Sequence, residues 1–281
     1  MSQTSDPVVS PPLPVIAFIG GGNMASAIIG GLIRQGHPAH QIEVVEPWEE
    51  ARAALQKNFG IQAQATASPA LARAGIVVWA VKPQTFKDAA AQARAHTLHA
   101  LHLSVAAGIR SDSISQWLGS DCIVRTMPNT PALVGKGMSA LYARAGVSAA
   151  QRQSVEAIMA TTGEFLWVND EQQLDAVTAL SGSGPAYVFY FLEAMARAGT
   201  AMGLTPAQAH RLAVGTFVGA SELARRSDEP PEVLRQRVTS KGGTTYAALQ
   251  SLEKDGVGAS FERAMQAAQQ RAHELGNEFG A

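Results

Sequence analysis

The sequence predicts an α/β protein built from an N-terminal doubly wound sheet and a C-terminal all-helical domain. Three observations support this class. Short runs of β-branched and aromatic residues alternate with Ala-rich segments, the first run ends in three glycines, and strand patterns stop after residue 168. The length of 281 residues also fits about two domains. We therefore predict a disordered tail at residues 1–13, a sheet domain at 14–168 and a helical domain at 169–281.

Composition and charge exclude several classes of partner. The formal net charge is -1, and charged residues make up 16% of the chain, so there is no electrostatic reason to expect nucleic acid or an anionic membrane. One cysteine, Cys122, allows no internal disulfide and fits a reducing compartment. No apolar run approaches the roughly 18 residues of a membrane span, and residues 1–14 lack the pattern of a signal peptide. We expect a soluble cytoplasmic protein.

The first predicted strand, residues 15–19, leads into the glycine fingerprint Gly20-x-Gly22-x-x-Ala25. The first glycine allows a tight turn, the second lets backbone approach a pyrophosphate, and the small Ala25 lets the next helix pack on the strand. The helix N-terminus offers N–H groups and a positive dipole end to phosphates. A Rossmann-type dinucleotide site is predicted, and the alternative is a tight turn without a ligand. The predicted cofactor contacts here are Gly20, Gly21, Gly22, Asn23 and Met24.

Glu46 ends the second predicted strand, which covers residues 42–46 after a turn at 35–38. It lies about 20 residues beyond the glycines, where an acid commonly accepts hydrogen bonds from the ribose hydroxyls of a dinucleotide. Its carboxylate would repel a 2′-phosphate. We predict a cofactor contact, and the alternative is a solvated acid at a strand end.

The third predicted strand, residues 76–81, follows an Ala-rich helix at 48–58 that stops at Gly60 and a short helix capped by Ser68. Its near-continuous apolar run is typical of a parallel strand that is buried on both faces. Ligands of open α/β sheets bind beyond the carboxyl ends of the strands. The predicted cofactor contacts at this end are Ala80, Val81, Lys82 and Pro83. Lys82 is also a candidate catalytic residue, although it could be a surface lysine.

Two later strand ends carry small or rigid residues. One ends in Ala106-Ala107-Gly108, whose small size allows backbone to approach a ligand. The other ends in a turn at 128–131 that two prolines make rigid. The predicted cofactor contacts here are Ala106, Ala107, Gly108 and Asn129. The remaining elements of this domain are predicted helices at 85–96, 112–118 and 149–161 and strands at 101–106, 122–127, 138–143 and 165–168.

The helical domain is predicted from the absence of strand signals after residue 168. One segment, 185–202, is apolar on nearly all sides, so as a helix it must be buried all round. Thr205 and Pro206 are an N-cap and a first-turn proline that open a helix to about residue 226. A domain this small cannot cover such faces alone, so we expect a homo-oligomer. A short helix is predicted to begin at Pro230, and two further helices are predicted at 244–252 and 261–275.

Several other polar residues receive structural interpretations. Three histidines recur every third residue but straddle a helix end and a strand, so they share no face and no metal site is predicted. Cys122 is expected to pack as a small hydrophobe. Three acids are expected on solvated helix faces or at caps. The histidines are His96, His99 and His102, and the acids are Glu171, Asp175 and Glu193.

Four further motifs, together with residues 18–25, carry a resemblance to a known family. They are Ala80-Val81-Lys82-Pro83-Gln84, Arg125-Thr126-Met127-Pro128-Asn129-Thr130-Pro131, Ser181-Gly182-Ser183-Gly184-Pro185-Ala186-Tyr187 and Val238-Thr239-Ser240-Lys241-Gly242-Gly243-Thr244-Thr245. From about residue 14 to its C-terminus, the chain resembles the pyrroline-5-carboxylate reductases. The motifs are specific when taken jointly, because related dehydrogenases share the glycine fingerprint but not the last motif.

The resemblance implies a Rossmann domain and a helical dimerisation domain. It implies a dimer with interleaved helical domains, which can assemble further into a decamer of five dimers. The implied cofactor is NADPH or NADH. The implied reaction reduces the C=N bond of 1-pyrroline-5-carboxylate to L-proline, the last step of proline biosynthesis.

By the same resemblance, a loop in the helical half binds the substrate. Backbone N–H groups of the Gly-Gly segment are expected to hold the substrate carboxylate, and Thr245 is expected to hydrogen-bond the ring nitrogen as a positioning donor and proton relay. This expectation has a physical basis, because a glycine pair at a helix N-terminus exposes backbone N–H groups that bind an anion. A protonated imine is already electrophilic, so no His–Asp pair is required. The expected substrate contacts are Ser240, Gly242, Gly243, Thr244 and Thr245.

The chain departs from the family pattern at two positions. Many relatives have Pro where this chain has Lys241, and NADPH-preferring relatives tend to have Ser or a basic residue where it has Glu46. We therefore expect NADH to serve at least as well as NADPH. Arg235 and Arg237 argue against this, because they precede the substrate loop and could reach a phosphate across the dimer.

Two other functions compete with this interpretation. A related two-domain reductase acting on another cyclic imine or a β-hydroxy acid would rely on a lysine of the helical domain. Lys241 and Lys254 are the only lysines there, and Lys241 lies in a Gly-rich loop. A nucleotide-sensing binding module would need no donor-rich loop, so loss of the Thr245 hydroxyl would leave its activity unchanged.

Overall fold

A computed structural model of the chain describes residues 13–280. Residues 1–12 of the predicted tail lie outside the described residues, and Leu13 packs against the hydrophobic core. The strands are β1 (Ile16–Ile19), β2 (Ile42–Val45), β3 (Ile76–Trp79), β4 (Leu101–Ser104), β5 (Ile123–Met127), β6 (Gly137–Ala143) and β7 (Gly163–Trp167).

Helices follow most of these strands and make up the remainder of the chain. They are α1 (Asn23–Arg34), α2 (Glu49–Phe59), α3 (Pro83–Thr97), α4 (Ser111–Leu118), α5 (Ala149–Ala160), α6 (Gln173–Val177), α7 (Gly184–Ala201), α8 (Pro206–Arg226), α9 (Pro231–Arg237), α10 (Thr244–Lys254) and α11 (Val257–Phe279). Short 3₁₀ turns cover Ala39–Gln41, Pro69–Arg73 and Thr130–Val134, and a π-helical turn covers Thr178–Gly182.

The strands form a seven-stranded sheet in the order β2-β1-β3-β4-β5-β6-β7. The first five strands are parallel, β6 runs antiparallel to β5, and β7 is parallel to β6. The chain moves outward from β1 to β2 and then returns to place β3 on the other side of β1. This change of direction creates a crevice at the carboxyl ends of β1 and β3, where open α/β sheets bind ligands.

Alternate residues of β1 enter two apolar clusters, one on each face of the sheet. Ile16 and Phe18 belong to a cluster that takes side chains from α1, α2 and α5. Ala17 and Ile19 belong to a second cluster, which includes side chains of α3 and α4. Burial on both faces explains the near-continuous apolar strands, and the predicted doubly wound class is confirmed.

The observed element ends differ in places from the predicted ones. The strand predicted at 76–81 ends at Trp79, because Pro83 already occupies the first turn of α3. The last helix begins at Val257, ahead of the predicted residue 261. Gly256, with φ +65°, separates it from α10, and the helix then starts at once despite Gly258, a residue that disfavours helix.

The described chain divides into two compact units. The first contains the sheet with its helices up to Gly182 and also the residues from Ala268 onward, whereas the second contains Ser183–Ala267. In the first unit α6 packs against β5 and β6. The predicted domain boundary after residue 168 follows the end of β7 and stays a prediction.

The second unit leaves large apolar side chains in solvent. Helix α7 packs along α8, and the capping box of Thr205 and Gln208 opens α8 as the sequence predicts. Burial of the 185–202 segment on all sides, however, does not occur within one chain, because Phe189 is 64% and Tyr190 66% exposed. Exposed apolar faces of this kind are typical of interaction surfaces. Within residues 13–280, no helix combines the length and apolarity needed to cross a membrane.

The described residues hold no cluster of three His, Cys, Asp or Glu side chains that could bind a metal ion. Of the three regularly spaced histidines, His102 is fully buried on β4. Its Nδ1 accepts a hydrogen bond of 3.1 Å from Nε1 of Trp79, so its proton lies on Nε2, which has no partner among the described residues. Burial, with a smaller contribution from His99, lowers the pKa of His102 to about 4.

Acid should therefore destabilise the fold through His102. The unfolded chain takes up this proton near pH 6.5 and the folded chain only near pH 4, so the stabilisation is complete above pH 6.5 and is lost as the pH falls. Between pH 7 and pH 5 the loss should be about 2 kcal/mol. His102→Gln, which keeps an acceptor for Trp79, should flatten this dependence in urea unfolding at fixed protein concentration. His40→Gln at an exposed position is the matched control, and an equal slope in all three proteins would contradict the prediction.

Candidate active site

Gly20 occupies the tightest point of the crevice between β1 and β3. Its φ is +97°, and a Cβ built on it would lie 2.5 Å from the carbonyl oxygen of Ala80. Its N–H donates to the carbonyl of Val45 at 2.8 Å, which ties the loop to β2. Only glycine fits this backbone conformation and this approach, so the role predicted for the first fingerprint glycine has a steric basis here.

Gly22 borders open space and begins α1. A Cβ built on it meets no atom within 4 Å, and α1 has no side-chain cap. The first-turn N–H groups of Asn23 and Met24 have no partner within the helix, so they can serve an anion. The free helix terminus and the open space before it therefore fit the pyrophosphate of a dinucleotide.

Glu46 is buried, with 8% of its surface exposed, and braces the glycine loop. Its Oε2 accepts the N–H of Gly21 at 2.7 Å, and its Oε1 accepts the N–H of Trp48 at 2.9 Å. The alternative of a solvated acid is therefore wrong. Each carboxylate oxygen keeps a second lone pair, so the predicted contact with the ribose stays a prediction that is compatible with the brace.

The residues after β3 shape the other wall of the crevice. The N–H of Ala80 donates to the carbonyl of Ile19 at 2.8 Å, which continues the pairing of the two strands. Lys82 is the N-cap residue of α3, and its carbonyl accepts the N–H and hydroxyl of Thr85. Its side chain is exposed, and its ammonium group forms no ion pair within residues 13–280. It is available to a ligand at the edge of the crevice.

The small residues after β4 form a turn that the end of α11 covers. The N–H of Ala106 donates to Oγ of Ser104 at 3.4 Å. Gly108 has φ +69°, and a Cβ built there would lie 3.0 Å from Cβ of Leu275. Packing against Leu275 is therefore one reason why residue 108 must be small. The sequence alone did not suggest this contact.

Asn129 holds two other segments with its side chain. Its Nδ2 donates to the carbonyl of Ser181 at 3.0 Å, and its Oδ1 accepts the N–H of Met138 at 3.0 Å. It therefore connects the π-helical turn to the start of β6. One N–H of the amide remains for a ligand, and its predicted cofactor contact stays a prediction.

A partly buried ion pair joins β5 to the segment before α6. Nη1 of Arg125 lies 2.6 Å from Oε1 of Glu171, whose carboxylate also accepts the N–H of Ser111 at 2.6 Å and its hydroxyl at 2.7 Å. Glu171 is thus not on a solvated helix face. Glu171 caps the N-terminus of α4, although the two segments are far apart in sequence. The only sequence signal for this contact was the charged Arg125 inside an apolar strand.

In the second unit, the expected substrate residues form a turn that opens α10. Gly242 has φ +75°, and the N–H of Gly243 donates to the carbonyl of Ser240 at 3.0 Å. Helix α10 has no side-chain cap, so the N–H groups of Thr244 and Thr245 are free for an anion. Neither threonine hydroxyl has a hydrogen-bond partner among the described residues, and the ammonium of Lys241 there forms no ion pair. The Gly243 N–H, in contrast, is already used by the turn.

Two family models match the chain over different parts. One is described as pyrroline-5-carboxylate reductase dimerisation and matches residues 171–275. The other is described as NADP oxidoreductase coenzyme F420-dependent and matches residues 15–108, which contain the glycine loop and Glu46.

Curated and solved relatives match nearly the whole chain. A pyrroline-5-carboxylate reductase of Pseudomonas aeruginosa is 47% identical over 95% of this chain and 98% of its own length. A solved pyrroline-5-carboxylate reductase from Coxiella burnetii has a TM-score of 0.86 at 37% identity, covering 93% of this chain and 98% of its own. A Plasmodium falciparum pyrroline carboxylate reductase solved with NADP bound has a TM-score of 0.84 at 28% identity, covering 94% and 99%.

Alanine substitutions at the two fingerprint glycines should separate folding from binding. Gly20→Ala forces a methyl group into the Ala80 carbonyl at positive φ, so the free energy of unfolding should fall by about 2 kcal/mol or more. Gly22→Ala meets open space, so its stability should change little, while its methyl group should weaken dinucleotide binding about tenfold or more. Thermal unfolding and calorimetric NADH titration measure the two effects. An equal loss of stability in both variants would contradict the assignment of Gly20 to folding and of Gly22 to dinucleotide binding.

Proposed function

The chain belongs to the pyrroline-5-carboxylate reductase family, and from this premise we propose which of its residues carry out the reaction. The protein is an oxidoreductase that reduces the C=N bond of 1-pyrroline-5-carboxylate to L-proline, and NAD(P)H, when bound, supplies the hydride. The observation that carries the residue assignment is the free N-terminus of α10, which a Gly-Gly turn precedes and two unpartnered threonine hydroxyls follow.

The loops at the carboxyl ends of the parallel strands are proposed to hold the cofactor. The free N–H groups at the start of α1 bind its pyrophosphate, because they are uncapped and face open space. The carboxylate of Glu46 accepts hydrogen bonds from the ribose with its remaining lone pairs. The further residues proposed at this site are Gly20, Gly21, Ala80, Val81, Lys82, Pro83, Ala106, Ala107, Gly108 and Asn129. Lys82 stays a candidate catalytic residue because its charge is free at the edge of the crevice.

The turn before α10 is proposed to bind the carboxylate of the substrate. The N–H groups of Thr244 and Thr245 and the positive end of the helix dipole favour an anion there. Gly242 adopts a positive φ that a side chain would strain, and Gly243 closes the turn onto Ser240. The free ammonium of Lys241 adds electrostatic attraction to the same group.

Thr245 is proposed to orient the imine. Its hydroxyl hydrogen-bonds the ring nitrogen, and this contact fixes which face of the ring receives the hydride. The imine is protonated before the step, so hydride addition at carbon needs no further proton at nitrogen. The protein contributes alignment, exclusion of water and hydrogen bonds at the nitrogen, which explains why a threonine is sufficient.

The protein is a homo-oligomer that assembles through its helical part. We propose a homodimer, which can form a decamer of five dimers. The exposed apolar side chains of α7 and the match of residues 171–275 to a dimerisation model support the dimer. The cytoplasmic location expected from the sequence stays a prediction.

Removal of the Thr245 hydroxyl should slow turnover without weakening cofactor binding. Thr245→Ala should lower kcat by about tenfold to a thousandfold because it removes the hydroxyl that hydrogen-bonds the ring nitrogen. Thr245→Ser should keep most of the activity, and the Kd for NADH should not change in either variant. Thr239→Ala is the matched control, because the Thr239 hydroxyl already donates to the Arg235 carbonyl at 2.6 Å. Full activity of Thr245→Ala would exclude the proposed role.

The carboxylate of Glu46 should make NADH at least as good a cofactor as NADPH. It occupies the position that a 2′-phosphate would approach, and its hydrogen bonds to two backbone N–H groups prevent it from turning away. Steady-state rates with both cofactors should be comparable in the wild type. Glu46→Gln should shift the ratio toward NADPH, while Glu43→Gln, on the same strand, should not. A hundredfold wild-type preference for NADPH would contradict the proposal.

A further inference from the structure

Trp48 is a large apolar side chain that remains in solvent beside the glycine loop. It is 70% exposed and is the N-cap residue of α2. Its N–H donates to Oε1 of Glu46, whose other oxygen accepts the N–H of Gly21. A single carboxylate therefore fixes both the backbone that carries the indole and the loop proposed to bind the pyrophosphate.

The segment that carries Trp48 is held rigidly. Nη1 of Arg52 donates to the carbonyl of Glu46 at 2.9 Å and to the carbonyl of Pro47 at 2.7 Å. Pro47 also restricts its own φ. No other ring or cation stacks on the indole within residues 13–280. A rigid backbone thus presents an aromatic face that nothing in the described chain uses.

We propose that the indole of Trp48 stacks on the adenine ring of the bound cofactor. This inference rests on the proposed contact between Glu46 and the ribose. Adenine is joined to that ribose by one glycosidic bond, so a ribose held at Glu46 brings the base beside the residues that follow it. Aromatic stacking on a purine is favourable and requires no hydrogen bonds to the base.

A second copy of the chain is a poorer occupant of this surface. Trp48 lies outside residues 171–275, the part that matches the dimerisation model, and inside residues 15–108, the part that matches the oxidoreductase model. The exposed apolar side chains of α7 belong to the former part. The adenosine half of the dinucleotide is the ligand that fits the neighbours of Trp48.

Binding measurements without the imine test this assignment on the full chain. ADP carries the adenine, and nicotinamide mononucleotide lacks it. By calorimetry, Trp48→Ala should bind ADP about tenfold more weakly and bind nicotinamide mononucleotide as the wild type does. Trp48→Phe should retain most of the ADP affinity because it keeps an aromatic face. ADP should also quench indole fluorescence in the wild type and in the control Trp117→Phe, whose indole packs at the opposite apolar cluster, but not in Trp48→Phe.

The outcomes separate this inference from the function on which it rests. An unchanged ADP affinity in Trp48→Ala would overturn the stacking assignment even if the wild type reduces the imine normally. An equal loss for both nucleotides would also overturn it, because Trp48 would then only support the loop. A wild-type protein that binds neither ADP nor NADH would instead refute the proposed use of the crevice, and with it the stacking assignment.

Discussion

The ends of β1 and β3 meet so closely that no side chain fits between them. The distance from a Cβ on Gly20 to the carbonyl of Ala80 would be 2.5 Å, which is far inside van der Waals contact. The contact lies where the order of the sheet changes direction, so it determines where the crevice opens. Helix α1 begins three residues after this contact, at Asn23, and its N-terminus has no side-chain cap. The rest of the proposed cofactor site depends on this one steric constraint.

Polar side chains then fasten the loops that surround the crevice. Glu46 connects the glycine loop to the start of α2, and Asn129 connects the π-helical turn to β6. Glu171 accepts hydrogen bonds from Arg125 and from the first turn of α4. Each of these side chains is at least partly buried and bonds to backbone or to an opposite charge, as buried polar groups must. The loops are therefore arranged before a ligand arrives.

Local patterns predicted much of this fold and of the candidate site. The glycine fingerprint, the apolar strands and the Thr205-Pro206 cap depend on neighbouring residues, and each was placed correctly from the sequence. The hydrogen bonds of Glu171 with Ser111 and of Asn129 with Ser181 were not foreseen, because these partners lie 60 and 52 residues away along the chain. Leu275, which packs against Gly108, lies farther still along the chain. Burial of α7 on all sides was expected, whereas large apolar side chains of this helix are exposed in one chain.

The double attachment of Glu46 has an evolutionary consequence. If Glu46 binds the ribose as proposed, it cannot be replaced for that purpose without affecting its support of the glycine loop. A lineage of this protein that adapted to a phosphorylated dinucleotide would first need another acceptor for the N–H groups of Gly21 and Trp48. With the proposed contact, cofactor choice and the integrity of the loop would be inherited together, and intermediates that lack an acceptor for the two N–H groups would be selected against. The residue at this position should therefore change in concert with its neighbours and seldom alone.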